Sequence, residues 1–195
     1  MCCDMGNKGK IIIISAPSGT GKSTIINRIM SDPSLDLQFS ISATSREPRK
    51  GEAHGVNYYF FTEADFRKAV AANLFVEWEE VYPGRFYGTL RSEIDRITAD
   101  GHNVIMDVDV KGGINIKRMM GADALSVFVR PPSVEALRQR LEARATDTPG
   151  QIDQRVAKAE YELEFAPQFD RIVVNDDLRT AVEEVRKLVK DFISD

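Results

Sequence analysis

Four consecutive isoleucines, Ile11, Ile12, Ile13 and Ile14, stand between Lys10 and the turn-forming residues Ser15, Ala16 and Pro17. An unbroken apolar run this short, bounded by turn chemistry, predicts a strand over 10–15 that is buried on both faces. Ile25, Ile26 and Ile29 then fall on one side of a helical wheel and predict a helix over 23–30. Further apolar runs predict strands over 103–109, 124–129 and 171–174. Helical spacing predicts helices over 93–99, 114–120, 134–143, 152–165 and 178–193. Strand and helix alternating in this way imply an α/β fold around a parallel sheet. Two segments break the alternation. Residues 39–89 are rich in aromatics, Thr and Ser, with one helical pattern at 63–72, and read as a small β-rich insertion. Residues 144–155 carry Asp, Thr, Pro and Gly and read as a mobile lid between two helices. The expected organisation is a flexible segment 1–9 and a single domain 10–195, with its core at 10–38 and 90–195, the insertion at 39–89 and the lid at 144–155.

Composition narrows the function. The 195 residues are 43% hydrophobic and 29% charged, ordinary for a globular protein with one sizeable core. A formal net charge of −4 argues against a surface that coats nucleic acid. Basic residues nevertheless bunch at Arg46, Arg49 and Lys50 and at Arg138, Arg140 and Arg144, which suits a small anionic ligand. Cys2 and Cys3 have no distant partner, so no disulfide framework is expected and both read as free thiols at a frayed end. The isoleucine run is too short for a signal-peptide core or a membrane span, which places the expected protein in the cytoplasm, without a membrane or nucleic-acid partner. His54 and His102 show no metal-ligand spacing and read as surface residues.

The chemistry begins at Ala16-Pro17-Ser18-Gly19-Thr20-Gly21-Lys22-Ser23, with Thr24 after it. It follows one predicted strand and opens a predicted helix, the context of a phosphate-binding loop. Gly19 and Gly21 can take backbone angles that turn successive N–H groups toward phosphate oxygens, and the helix directs its positive end at the same place. Lys22 would reach the β- and γ-phosphates of ATP, and the Ser23 hydroxyl would ligate Mg²⁺. Ala16 stands where the strict pattern has glycine. The loop therefore implies a bound phosphate chain and leaves the second substrate open.

A second concentration of chemistry runs through Ser42, Ala43, Thr44, Ser45, Arg46, Glu47, Pro48 and Arg49. Two guanidinium groups among hydroxyls suit a phosphate monoester, although alone the pair reads equally well as surface charge. Tyr58 and Tyr87 read equally well as core aromatics of a small sheet, and Glu77 as a solvent-facing strand residue. The pair Asp107 and Asp109 closes an apolar strand, where an α/β sheet places its ligands.

Taken in order, the phosphate loop, residues 42–49, Gly51-Glu52 with Tyr58, residues 75–78, Phe86-Tyr87-Gly88-Thr89 and Asp107-Val108-Asp109 resemble the guanylate kinase family over nearly the whole chain. The resemblance implies a P-loop nucleoside monophosphate kinase fold, with Arg46, Arg49, Tyr58 and Tyr87 on the phosphate of GMP. It places Ser42, Glu77, Thr89 and Asp109 around the guanine. The base chemistry agrees: guanine presents donors at N1 and N2 and an acceptor at O6, which a carboxylate such as Glu77 and a hydroxyl such as Ser42 complement. Adenine, an acceptor at N1, would leave the carboxylate unpaired, a mismatch that costs ~10⁴-fold in discrimination. Asp107 is a candidate for an outer-shell Mg²⁺ contact. Lys111 stands where the family usually has glutamine.

By the same resemblance, Arg144 lies near the adenine and ATP phosphates, Arg155 approaches the transferring phosphoryl group, and Arg140 joins them. The alternative for these arginines is a solvated helix face. Asn175 and Asp176 follow the last strand and are candidates for an adenine contact. The expected reaction is ATP + GMP giving ADP + GDP with Mg²⁺, by a monomer or homodimer whose partners are its small-molecule substrates. Two rivals are a non-catalytic module of the same family, which would lack a working loop or lid, and a phosphotransferase of the same fold with another acceptor.

Overall fold

The computed structural model describes residues 8–144 and 147–194. The expectations for Cys2, Cys3 and most of segment 1–9, and for Ala145 and Thr146 in the lid, lie outside the described residues. In chain order the elements are β1 (Ile11–Ser15), α1 (Lys22–Met30), β2 (Leu37–Phe39), β3 (Ala43–Thr44), β4 (Tyr59–Phe60), α2 (Glu63–Ala71), β5 (Phe75–Tyr82), β6 (Arg85–Leu90), α3 (Arg91–Ala99), β7 (Asn103–Asp107), α4 (Val110–Met120), β8 (Ala124–Arg130), α5 (Val134–Ala143), α6 (Pro149–Leu163), β9 (Arg171–Val174) and α7 (Leu178–Ser194). They form two compact units. One comprises Gln38–Val104 with the chain up to Lys10, the other Ile11–Leu37 and the chain from Ile105.

The larger unit is an α/β fold on a five-stranded sheet of order β2-β7-β1-β8-β9. β1 runs parallel to β8, and β8 parallel to β9. Every residue of β1 is buried, which explains the unbroken isoleucine run: helices cover both faces, so no position needs to be polar. Ile12 and Ile14 pack with Ile25 and Ile29 of α1, Val127 and Val129 of β8, and Val182, Val185 and Val189 of α7 in the main core cluster. α7 earns its place by spacing: Ala181, Val182, Val185 and Val189 recur at near-helical intervals on one buried stripe. A satellite cluster of Leu137, Leu141, Ile152, Val156 and Ala159 binds α5 to α6.

Several element boundaries differ from the sequence reading, and two of them bear on the site. The strand predicted over 103–109 ends at Asp107, because Asp109 leaves the ladder to cap α4, its carboxylate accepting from the Gly112 N–H at 2.9 Å. Half of the predicted lid is helix: α6 begins at Pro149, where Thr148 and Gln151 form a capping box and proline occupies the first turn.

The smaller unit is built on a four-stranded sheet of order β4-β3-β6-β5, with β3–β4 parallel and the other pairs antiparallel. Strands β3, β4, β5 and β6 all lie within this unit, as does α3, which the sequence reading assigned to the core. Its core is aromatic: Phe66 of α2 stacks on Phe75 at 4.4 Å and on Phe86 at 5.4 Å between ring centroids. Among the described residues no helix is long and apolar enough to cross a membrane.

Candidate active site

In the larger unit the chain between β1 and α1 wraps a concavity of about 410 Å³, lined by residues 16–24 together with Asp107, Val108, Asp109, Arg144, Arg155, Lys158 and Glu162. That volume is in the range of small-molecule sites. Gly19 and Gly21 both sit at φ 93°, the left-handed region that disfavours other residues. No side chain caps α1 and no acidic residue stands in its first turn, so its N-terminal N–H groups keep their positive end for an anion.

The loop is braced from behind. A Cβ at Gly19 would lie 2.8 Å from Leu141 of α5, and one at Gly21 would lie 2.5 Å from the Asn175 side-chain nitrogen. Asn175 is 4% exposed and donates from Nδ2 to the Thr20 carbonyl at 2.6 Å, while its own N–H donates to the Arg130 carbonyl. The sequence reading made Asn175 a candidate for an adenine contact; in the structure its side-chain nitrogen bonds the loop backbone. The Lys22 ammonium pairs with the Asp107 carboxylate and donates to the Val108 carbonyl at 3.2 Å. Arg155 faces Asp147, 3.2 Å away, whose side chain is only 9% exposed. Arg140 donates to the Asp176 carbonyl at 3.2 Å.

Two lining residues were missed in the sequence, Lys158 and Glu162. They sit one helical turn apart on α6 with their charges 3.6 Å apart, and their i, i+4 spacing with Arg155 close by was the available signal. Burial raises the Glu162 carboxyl above its ordinary range, with Lys158 and Lys22 pulling it back. Asp109 also lines this concavity. The hydroxyl of Ser23 and the carboxylate of Asp107 are the oxygen donors a hard cation such as Mg²⁺ selects, and an ion of that kind keeps several waters and binds phosphates with only one or two protein ligands. The donor set therefore fits Mg²⁺.

In the smaller unit, two groups of the expected acceptor residues come together. Arg46 lies over the Tyr58 ring at 5.3 Å, and Tyr58 meets Tyr87 edge-on at 6.1 Å. Glu52 holds the Arg46 guanidinium through two hydrogen bonds of 2.8 and 3.0 Å and accepts from the Arg49 N–H at 2.7 Å. Those bonds pull the Glu52 carboxyl down to about 2, and Glu52 holds Arg46 well above the ordinary arginine range. Glu52 had no role in the sequence reading, although a carboxylate so near two arginines was visible. The second group is Glu77 and Thr89: the Thr89 hydroxyl donates to Glu77 Oε1 at 2.9 Å across the β5–β6 pair. Ser42 is tied to this frame by its carbonyl, which accepts from the Tyr59 N–H at 2.9 Å. The Arg49 side chain is exposed.

A glycine-bent loop between a buried parallel strand and an uncapped helix, with a lysine at its end, defines a P-loop α/β phosphotransferase fold. The family model for guanylate kinase matches residues 8–192. A guanylate kinase of Bacteroides fragilis is 54% identical over 186 residues, covering 95% of this chain and 91% of that one. One of Porphyromonas gingivalis is 55% identical over 185 residues, with 95% and 98% covered. The crystal structure of a guanylate kinase from Anaplasma phagocytophilum superposes with a TM-score of 0.74 at 26% identity, over 97% of this chain and 88% of that one. The chain belongs to the guanylate kinase family.

Proposed function

We infer that this chain is an enzyme that phosphorylates GMP to GDP at the expense of ATP, with Mg²⁺. The observation that carries the acceptor assignment is that the smaller unit holds both the pairing of Glu77 with Thr89 and the Arg46, Tyr58 and Tyr87 group. A carboxylate offers the acceptor that guanine N1–H and N2–H require, and an arginine beside a tyrosine ring suits a phosphate monoester. Residues 16–24 would cradle the donor phosphates, with Lys22 reaching the terminal groups. Ser23 and Asp107 would hold Mg²⁺, which neutralises phosphate charge when bound. A GMP phosphate oxygen attacks the terminal phosphoryl group in line and ADP leaves; no covalent enzyme intermediate is needed. Lys22, Arg144 and Arg155 would offset charge on the donor phosphates, and Arg46 and Arg49 charge on the acceptor phosphate; charge neutralisation is the main contribution a protein makes to this transfer.

In this reading the smaller unit is the acceptor-binding insertion, and residues 144–155 act as the lid that brings Arg144 and Arg155 to the phosphates. Ser42 adds a guanine contact within the smaller unit. The protein works in the cytoplasm as a monomer or homodimer.

The test is ADP release from ATP-Mg²⁺ with GMP, AMP, IMP or a sugar phosphate offered in parallel. GMP is expected to be the preferred acceptor, and AMP serving as well would refute the base site. Glu77→Gln is expected to raise the GMP KM or lower kcat/KM for GMP by about 100-fold or more, since the amide places a donor against guanine donors, with the KM for ATP unchanged. Unaltered GMP kinetics would remove Glu77 from the site.

A further inference from the structure

Glu93 is a carboxylate with 2% of its surface exposed, in the first turn of α3. A charge that deep needs several partners to offset its lost hydration, and it has them. One oxygen, Oε2, accepts from the Tyr59 hydroxyl at 2.9 Å and from Arg96 Nε at 3.2 Å. The other, Oε1, accepts from Arg96 Nη2 at 3.1 Å and from the Ile41 backbone N–H at 3.3 Å. Arg96 is half in solvent and supplies the compensating charge. Burial and the bond to Glu93 together hold the Tyr59 hydroxyl protonated to higher pH than a free tyrosine.

The partners of Glu93 are adjacent in sequence to the acceptor residues. Ile41 precedes Ser42, and Tyr59 follows Tyr58. The helix carrying Glu93 begins two residues after Thr89, at the end of β6. The Tyr59 N–H already bonds the Ser42 carbonyl, so Glu93 closes a ring that joins the Ser42 segment, the Tyr58 segment and the Thr89 strand end at one buried point. We propose that Glu93 is a positioning residue for the acceptor nucleotide, setting the spacing between the strands that present Ser42, Tyr58 and Thr89. It touches no substrate and acts through Ile41, Tyr59 and α3. The proposal rests on the GMP-site reading above.

The experiment compares Glu93→Gln, Tyr59→Phe and Glu77→Gln with the parent enzyme, varying GMP and ATP separately. Gln keeps the shape but turns one acceptor into a donor that faces Arg96 together with either the Tyr59 hydroxyl or the Ile41 N–H. The expected result for Glu93→Gln is a rise in the GMP KM of about tenfold, as for misplacement of a binding frame, with the ATP KM within about twofold of the parent. Tyr59→Phe, which deletes one hydroxyl and keeps the remaining bonds, is expected to raise the GMP KM by a smaller factor in the same direction. A fall in melting temperature with both KM values unchanged would make Glu93 purely structural and overturn the proposal, as would equal rises in the two KM values. Should Glu93→Gln fail to fold, Tyr59→Phe decides: a parental GMP KM overturns the proposal. If Glu77→Gln raises the GMP KM and neither of the other variants does, positioning by Glu93 fails alone. If Glu77→Gln has no effect, the GMP-site reading fails and the proposal falls with it.

Discussion

The bond from Asn175 to the Thr20 carbonyl offers a direct measure of how the phosphate loop keeps its shape. Replacing Asn175 with Ala removes a 2.6 Å hydrogen bond in a position only 4% exposed, and leaves the Thr20 carbonyl short of that partner. Stranding a buried carbonyl costs about 1–3 kcal/mol. For a protein of this length each kcal/mol corresponds to about 2–4 °C, so a loss of about 2 kcal/mol lowers Tm by about 4–8 °C. The carbonyl belongs to the residue between Gly19 and Gly21, so the slackened loop also costs ATP affinity: the ATP KM is expected to rise several-fold with the GMP KM unchanged. Gly21→Ala probes the same contact from the other side. Its Cβ would lie 2.5 Å from Asn175 Nδ2, and its φ of 93° is strained for any residue with a side chain. In the Asn175→Ala background the clash disappears and the backbone strain, about 1–2 kcal/mol, remains. The double-mutant cycle should therefore show Gly21→Ala as less damaging when Asn175 is absent. The assays are thermal melts and initial rates with each substrate varied. A Tm within about 1 °C of the parent, together with an unchanged ATP KM, would refute the brace.

Other expectations come from single contacts. Glu162→Gln should raise Tm at neutral pH. The folded carboxyl is held above its unfolded value by burial, so the parent loses stability as pH rises through that interval, and the gain from Gln should vanish in melts run below the ordinary glutamate range. Activity should fall in the same variant, since Glu162 pairs with Lys158 at the wall of the concavity, and initial rates on the stabilised protein check it. Phe66→Ala removes a fully buried ring stacked on two others and should cost about 3–5 kcal/mol, read as a lower urea midpoint at unchanged slope.

The sequence disclosed what local rules decide. β1 and the loop into α1 were legible because four buried isoleucines, two glycines and a lysine each have few other uses. The cap at Asp109 was also legible in principle: Asp followed three residues later by Gly112 at a strand-to-helix junction is a capping arrangement, but the apolar Val108 between two aspartates looked like continued strand. The start of α6 was misplaced for a similar reason, because Thr, Pro and Gly suggested a loop when Thr148-Pro149 and Gln151 spell a capping box. Glu93 and Asn175 are a different case. Glu93 reads as an ordinary acidic residue at a helix start, and its partner Ile41 lies 52 positions away; Asn175 and Thr20 are 155 apart. Periodicity carries no information about partners at that distance, so their roles emerge only from the fold.

The same limit applies to the charges on which the proposed chemistry depends. In the sequence Lys22, Arg46 and Arg155 stand out as cations for phosphate, yet each is held by a carboxylate of its own unit: Asp107, Glu52 and Asp147. These pairs direct the partly buried cations and offset part of the hydration the cations lose. They also set what a phosphate must do, because its oxygens compete with a carboxylate for the same N–H groups. Near a protein surface a close unit pair is worth about 4 kcal/mol before solvation is counted, so a doubly charged phosphate that also collects backbone N–H bonds can displace or share the contact. Where the carboxylate is bidentate, as Glu52 is on Arg46, the arginine can keep that support and turn its remaining donors to a ligand. The local bunching of basic residues in an acidic chain is thus not spare charge: at Lys22, Arg46 and Arg155 a neighbouring carboxylate holds each cation in place.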